Sequence, residues 1–368
     1  MNEIQMRPLP LIIEPEEGNP HEVEGVLNPA AVRGIDGQLY LFPRVVGAGN
    51  YSRIAVMRVL FDGDGEPVGV ERLGIALEPE MDYELRPDGG GCEDPRISYV
   101  ETLRHYVMTY TAFSPVGPRI AIAVSKDLLH WERMGLASFA PFEGIEVNGV
   151  DNKDAACFPV AIPNPSGMPG LAILHRPLFP GTRPEEISVE EGEHDFDANR
   201  ESIWISYSSI PFSGMDPEQL CSFTSHHRLA SPQWAWENLK IGSGTPPVMS
   251  RHGWLIVHHG VSDIFRLEDD VQRLTYSAGV MMLSMEHPKL LLYRSAEPVL
   301  VPQSSLGRRG TPSNVVFPTG IDRRDDIGRP HRYDVYYGLN DYRIGVARLD
   351  LPDELPHESH LHPEMSGC

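Results

Sequence analysis

This sequence predicts an all-β fold made of hairpins, of the kind that closes into a propeller, on three observations. Short runs rich in β-branched and aromatic residues alternate with clusters of Gly, Pro, Asn and Asp, the signature of successive strands and turns. Helical periodicity, with apolar residues recurring every three to four positions, is hard to find anywhere. A faint repeat of the form strand, Ser-x-Asp, Trp runs from Ile120 to Glu132. It recurs in degenerate form at Ile203 to Ser209, with Trp234 to Glu237 after it, as successive propeller blades would.

A single large β domain can absorb all 368 residues. Hydrophobic residues at 41% and charged ones at 23% give a globular protein with a large core. The formal charge of −21, from 31 Lys and Arg against 52 Asp and Glu, argues against nucleic acid or an anionic membrane as a general partner. Any anion site must then be a local basic pocket. Cys92, Cys157, Cys221 and Cys368 form no C-x-x-C pair, so zinc ribbons and dithiol motifs find no support and the cysteines read as free thiols of a reducing compartment. The apolar run Leu9 to Ile13 is too short for a signal-peptide core, and no run approaches membrane-spanning length. A cytoplasmic location is expected.

In chain order, residues 1–24 are a proline-rich lead-in, 25–350 one catalytic-size domain, and 351–368 a tail. Ala30 to Val32, Leu39 to Phe42 and Ile54 to Leu60 read as strands, punctuated by Gly34 to Gly37 and Gly47 to Asn50. Phe61 to Gly65 carries two Asp-Gly pairs and reads as a hairpin turn; the bidentate glutamate of a calcium loop is missing. Gly89, Gly90 and Gly91 are followed by Cys92, Glu93, Asp94, Pro95 and Arg96, a stiff loop presenting charge ahead of the hairpin strands 97–100 and 106–112. Asp94 there suits an acid catalyst, but on this stretch alone an ion pair with Arg96 that stabilises a turn at Pro95 is the favoured reading. The acidic stretch 177–200 reads as a solvent loop, with covering of a cleft or contacts of a homo-oligomer as its alternatives. His357, His360 and His362 read as a solvated tail, not a metal site.

Polar clusters interrupt the later strands: Asn152-Lys153-Asp154, His175-Arg176-Pro177, Lys240 to Pro247, and His258-His259 after Trp254 to Val257. Taken singly, each cation is an ordinary strand-end side chain. Gathered around a propeller axis, Lys153, Arg176, Lys240 and His259 would make a pocket for an oxyanion such as phosphate. Gly242 to Gly244 is too short for a Walker-type loop and reads as a turn.

Asn28-Pro29-Ala30, Phe42 to Arg44, Tyr51 to Ile54, Glu93 to Arg96, the four clusters above, Asn314 to Pro318 and Tyr336 to Asp341 occur in one order between about Gly25 and about Leu351. In this the chain resembles the family of β-mannoside phosphorylases and related mannosidases. The resemblance implies a five-bladed β-propeller with an axial active site, in which inorganic phosphate displaces the glycosidic bond of a manno-oligosaccharide or mannosyl disaccharide with inversion. The products would be α-mannose 1-phosphate and a shortened acceptor, with phosphate as co-substrate and neither metal nor other cofactor. It implies Asp94 as general acid, acting through a hydroxyl of the bound mannose. It also implies Asn28, Arg44, Arg53 and Asp341 around that mannose, and Lys153, Arg176, Lys240, His259 and Tyr276 around phosphate.

The chemistry agrees. An inverting hydrolase needs a second carboxylate to activate water, whereas phosphate arrives anionic and needs cations to place it. A β-mannosidase, for which Glu143, Glu146 and Asp154 are available as bases, and a non-catalytic carbohydrate-binding propeller are the alternatives. Two departures stand out: Cys92 replaces a small or β-branched residue, and Gln303 to Gly307 lacks the glutamate expected before Asn314, which touches acceptor choice. The linkage, β-1,2 or β-1,4, stays open.

Overall fold

A computed structural model describes residues 4–142, 144, 146–179, 200–209, 216–266, 271–302, 305–306 and 312–356. Most of the acidic stretch 177–200, part of 303–307 and the histidine-bearing tail lie outside these residues.

The strands group into five antiparallel blades. From the axis outward, the first holds Gly25–Arg33, Leu39–Gly47, Tyr51–Phe61 and Pro67–Leu77, and the second Gly90–Val100, His105–Ser114, Gly117–Ser125 and Glu132–Leu136. The third holds Asn152–Cys157, Pro169–Pro177, Ile203–Ser209 and Ser222–Ala230, and the fourth Lys240–Gly242, Gly253–Arg266, Val271–Leu283 and Leu291–Arg294. Val316–Arg323, Arg332–Leu339 and Arg343–Asp350 begin the fifth. Its outer strand is Met6–Pro8, with Met6 opposite Leu349, so part of the lead-in closes the ring. Among the described residues the one α-helix is Pro217–Cys221, and no helix is long and apolar enough to cross a membrane.

Each blade is covered on both faces by its neighbours, which is why its strands read as near-continuous apolar runs. Between the fourth and fifth blades, Leu255, Val257, Val280 and Met282 pack with Val335, Ala347 and Leu349, all fully buried. Each large apolar side chain of such a layer contributes about 2 kcal/mol over an exposed one. The hairpin turn expected at 61–65 is present, held by Asp62 Oδ1 accepting from the amides of Asp64 at 3.0 Å and Glu66 at 2.9 Å.

The inner strands carry a repeat that no sequence pattern announced. Asn28, Asp94 and Asp154 occupy the left-handed region at φ +46°, +46° and +58°. Each sits at a register shift, between Leu27 and Ala30, Glu93 and Arg96, and Lys153 and Ala156; the fifth blade has its own shift between Pro318 and Gly320. These are β-bulges, which re-aim a side chain and cost about 1–2 kcal/mol for a non-glycine residue at positive φ. Asn and Asp tolerate that region best, hence their choice here.

Three expectations need correcting. The stretch from Gly89 to Ile97 is no loop: Gly90–Val100 is the inner strand, bulged at Asp94. Its glycines approach neighbouring backbone, since a Cβ on Gly90 or Gly91, at φ +90° and +112°, would strike the carbonyl oxygens of Phe113 and Ser52. The faint repeat holds only in part. Residues 120–125 and 203–209 do lie in the third strands of adjacent blades, but Trp131 precedes a fourth strand while Trp234 follows one. And His258 and His259 do not end a strand, because theirs runs on to Arg266.

Candidate active site

The bulges converge on a cavity of about 350 Å³ lined by residues of every blade. Its wall includes Asn28, Arg44, Asp94, Lys153, Arg176, Lys240, Tyr276 and Asp341 among the residues singled out in the sequence. It divides by charge.

One side is built around Asp94. Its Oδ1 accepts a hydrogen bond from Asn28 Nδ2 at 2.8 Å and lies 3.4 Å from Arg44 Nη1. Its Oδ2 has no hydrogen-bond partner among the described residues, and the side chain is 15% exposed. Oδ2 is therefore the oxygen left open to a further hydrogen bond. Arg44 is committed elsewhere: Nη2 meets Glu93 Oε1 at 2.8 Å and Nε donates to Ser52 Oγ at 2.9 Å. Burial pushes the Glu93 carboxyl up, aided by Asp94 and opposed by Arg44. Asn28 comes this close because Gly338 has no side chain; a Cβ there would overlap the Asn28 amide.

Arg96 does not pair with the Asp94 carboxylate. It donates to the Asp94 carbonyl at 2.8 Å and to the Gly244 carbonyl at 3.0 Å, and its Nη2 lies 3.6 Å from Asp154 Oδ1. Instead of a turn pair it forms a buried strut between blades.

The other side is cationic. Arg176 Nε donates to Asp154 Oδ2 at 2.7 Å, and its other end pairs with Glu201. Lys240 Nζ lies 3.9 Å from Glu201 Oε1. Burial, then Arg176 and Lys153, push the Lys240 ammonium down to about 7. Lys153 is pushed down by burial and then by Arg176, and its ammonium makes no hydrogen bond to any described residue. Burial alone would raise Asp154, but the charges of Arg176 and Arg96 outweigh it and hold this carboxyl well below the usual range. An anion on this wall would relieve the mutual repulsion of the lysines and Arg176.

Two expected residues stand apart from the wall. Arg53 donates from Nε to Glu78 Oε1 at 2.6 Å and does not line the cavity. His259 is fully buried behind Asp154, with Nε2 3.6 Å from Asp154 Oδ2 and its ring 4.4 Å from that of Phe317; burial holds it neutral. Of the candidate bases, Glu143 lies outside the described residues, Glu146 is exposed and off the cavity, and Asp154 is engaged as above. Sequence reasoning missed Glu201, which follows the acidic stretch with no motif of its own, and Ser52, whose role needs Arg44 folded over it. No cluster of His, Cys, Asp or Glu suited to a metal occurs among the described residues, and Cys92, Cys157 and Cys221 are buried free thiols.

Comparison with known proteins identifies the family of this chain. The family described as β-1,4-mannooligosaccharide phosphorylase, glycoside hydrolase family 130, matches residues 7–355. A 1,2-β-oligomannan phosphorylase of Thermoanaerobacter is 28% identical over 93% of this chain and 95% of its own. A β-1,4-mannooligosaccharide phosphorylase of Ruminococcus albus is 32% identical over 37% of this chain and 38% of its own. The β-1,2-mannobiose phosphorylase of Listeria innocua, solved with β-1,2-mannobiose, superposes with a TM-score of 0.65 at 22% identity, covering 95% of this chain and 97% of that one.

Proposed function

This chain belongs to glycoside hydrolase family 130, the β-1,4-mannooligosaccharide phosphorylase family, and from that premise we propose that it cleaves β-mannosides by inverting phosphorolysis. The observation that carries the reading is the division of one cavity into a carboxyl with a free oxygen and a wall of cations whose Lys153 ammonium makes no hydrogen bond to a described residue. Asp94 is the general acid. Asn28 and Arg44 fix Oδ1, leaving Oδ2 to pass its proton toward the glycosidic oxygen, through a hydroxyl of the mannose held by Asn28, Arg44 and Asp341.

Phosphate sits against Lys153, Arg176, Lys240 and Tyr276 and attacks the anomeric carbon from the face opposite the leaving group. The bond from that carbon to the leaving oxygen breaks as one to a phosphate oxygen forms, so the configuration inverts and α-mannose 1-phosphate results. The leaving sugar takes the Asp94 proton, and the proton that hydrogen phosphate gives up restores the acid. Asp154 takes no part as a base; bound to Arg176, it orients the guanidinium. Arg53 contributes through Glu78, and His259 by backing Asp154.

Relatives aligned over most of both chains at 27–28% identity are named for β-1,2-linked mannosides, and one at 23% for 4-O-β-D-mannosyl-D-glucose, so the β-1,2 linkage is the first to test. The experiment is incubation with β-1,2- and β-1,4-linked manno-oligosaccharides, with and without inorganic phosphate, assaying α-mannose 1-phosphate and mannose. Sugar phosphate formed only with phosphate present is the expected result. Mannose released equally well without phosphate would make the enzyme a mannosidase, and binding without turnover would leave a carbohydrate-binding propeller.

A further inference from the structure

Behind the cationic wall runs a line of hydrogen bonds that the proposed reaction does not use. Lys153 and Arg176 face each other across the antiparallel pair of the third blade and line the cavity; their chain neighbours Asn152 and His175 do not. His175 Nδ1 lies 3.1 Å from Asn152 Oδ1, and His175 Nε2 lies 2.7 Å from Ser206 Oγ. Ser206 Oγ is in turn 2.7 Å from His226 Nδ1, and His226 Nε2 is 2.9 Å from the Ala140 carbonyl oxygen. Asn152, His175 and Ser206 are buried, and Phe139 stacks on the His175 ring at 4.7 Å.

The direction of every bond follows from the far end. A carbonyl oxygen only accepts, so His226 Nε2 must carry the hydrogen. Burial holds both imidazoles below their ordinary range, so each is neutral with one N–H. His226 Nδ1 is then an acceptor, the Ser206 hydroxyl donates to it, and Ser206 Oγ accepts from His175 Nε2. That leaves His175 Nδ1 needing a donor where it meets an amide oxygen, while the Asn152 Nδ2 is buried with no partner. Turning the Asn152 amide over supplies the donor. It exchanges an orphaned N–H for an orphaned carbonyl oxygen, the cheaper of the two to leave unmade.

We infer that Asn152, His175, Ser206 and His226 form one proton-ordered chain, each donating toward the Ala140 carbonyl, that clamps the two strands carrying Lys153 and Arg176 and so positions those cations for phosphate. His175 and Asn152 are positioning residues: they touch no reactant and act through their neighbours. The alternative order, with hydrogens running toward Asn152, would leave His226 Nε2 facing a carbonyl with two lone pairs opposed.

The kinetic part rests on the phosphorolytic reading; the proton order does not. Nitrogen-15 spectra of the histidine-labelled full-length protein, assigned with His175→Asn and His226→Gln, are expected to show both rings as Nε2–H tautomers at pH 7. Either ring protonated at Nδ1 would overturn the order. For positioning, Ser206→Ala interrupts the chain with little change of volume and is expected to raise the KM for phosphate about two- to tenfold, the worth of one hydrogen bond. The KM for the mannoside and kcat are expected to stay near wild type, with Ser206→Thr, which keeps the hydroxyl, restoring the phosphate KM. Equal changes in both KM values, or in neither, would reduce the chain to a structural role. If the wild type makes no sugar phosphate, calorimetric titration with inorganic phosphate replaces the kinetics: weaker binding by Ser206→Ala, restored by Ser206→Thr, upholds the positioning role, and unchanged binding ends it.

Discussion

The two sides of the cavity are built by different means. The acid side is compact: Glu93 and Asp94 are adjacent on one strand of the second blade, and Asn28, Arg44 and Ser52 all come from the first blade. The cationic side has no two neighbours in sequence: Lys153 and Arg176 come from separate strands of the third blade, and Lys240 and Tyr276 from separate strands of the fourth. The acid side works by leaving one oxygen free within a set of satisfied hydrogen bonds. The cationic side works by being unsatisfied, with two lysines pushed toward neutrality until an anion arrives. A proton donor needs a defined partner set, whereas an oxyanion site needs surplus charge.

The largest effect that would separate the two sides is Asp94→Asn, expected to lower kcat/KM by about 10²–10⁴-fold, the range for a positioned general acid. Mannoside binding, read by calorimetry, should survive. Retained turnover would move the acid elsewhere and collapse the division.

Next comes Lys153→Met. It removes an ammonium that makes no hydrogen bond to a described residue, so it should raise the KM for phosphate while leaving the KM for the mannoside alone. Loss of one charge-assisted bond of about 2 kcal/mol corresponds to roughly thirtyfold. If the mannoside KM moved as much as that for phosphate, Lys153 would belong to the sugar side.

A pH series sharpens the contrast. Lys240 titrates near 7 in the folded protein, far below an exposed lysine, so its charge is present below that pH and lost as pH rises through it. The KM for phosphate dianion in the wild type should therefore rise above about pH 7 relative to Lys240→Arg, whose guanidinium keeps its charge. Parallel curves for the two proteins would remove Lys240 from the phosphate site. Smallest is Asn28→Ala, which deletes one of the two donors to Asp94 Oδ1 and should cost about fivefold in kcat/KM, equivalent to about 1 kcal/mol. Initial rates with mannoside at saturating phosphate measure it.

How much of this was legible in the sequence differs between the sides in the same way. The run around Asp94 is compact enough to be singled out as charged, though its role as acid came only with the family resemblance, and the strands announce themselves because alternation and turn chemistry are local. The cations were each indistinguishable from ordinary surface lysines and arginines until family resemblance set them in order. Arg53 illustrates the limit. It lies two residues after Tyr51, in a stretch matching the family, yet its side chain goes to Glu78 because the antiparallel neighbour brings Ile54 opposite Leu77, just before that glutamate.

What the sequence by itself determined is therefore the all-β class and the hairpin at Asp62, each fixed by residues within a few positions of one another. Only the tertiary structure decided that the glycines before Asp94 make room for backbone rather than ligand, that His259 backs Asp154 instead of facing the cavity, and that Met6–Pro8 completes the fifth blade. Those outcomes depend on which strands become neighbours when the ring closes. Closure brings together segments hundreds of residues apart through apolar burial, which has no direction and leaves no local pattern to read.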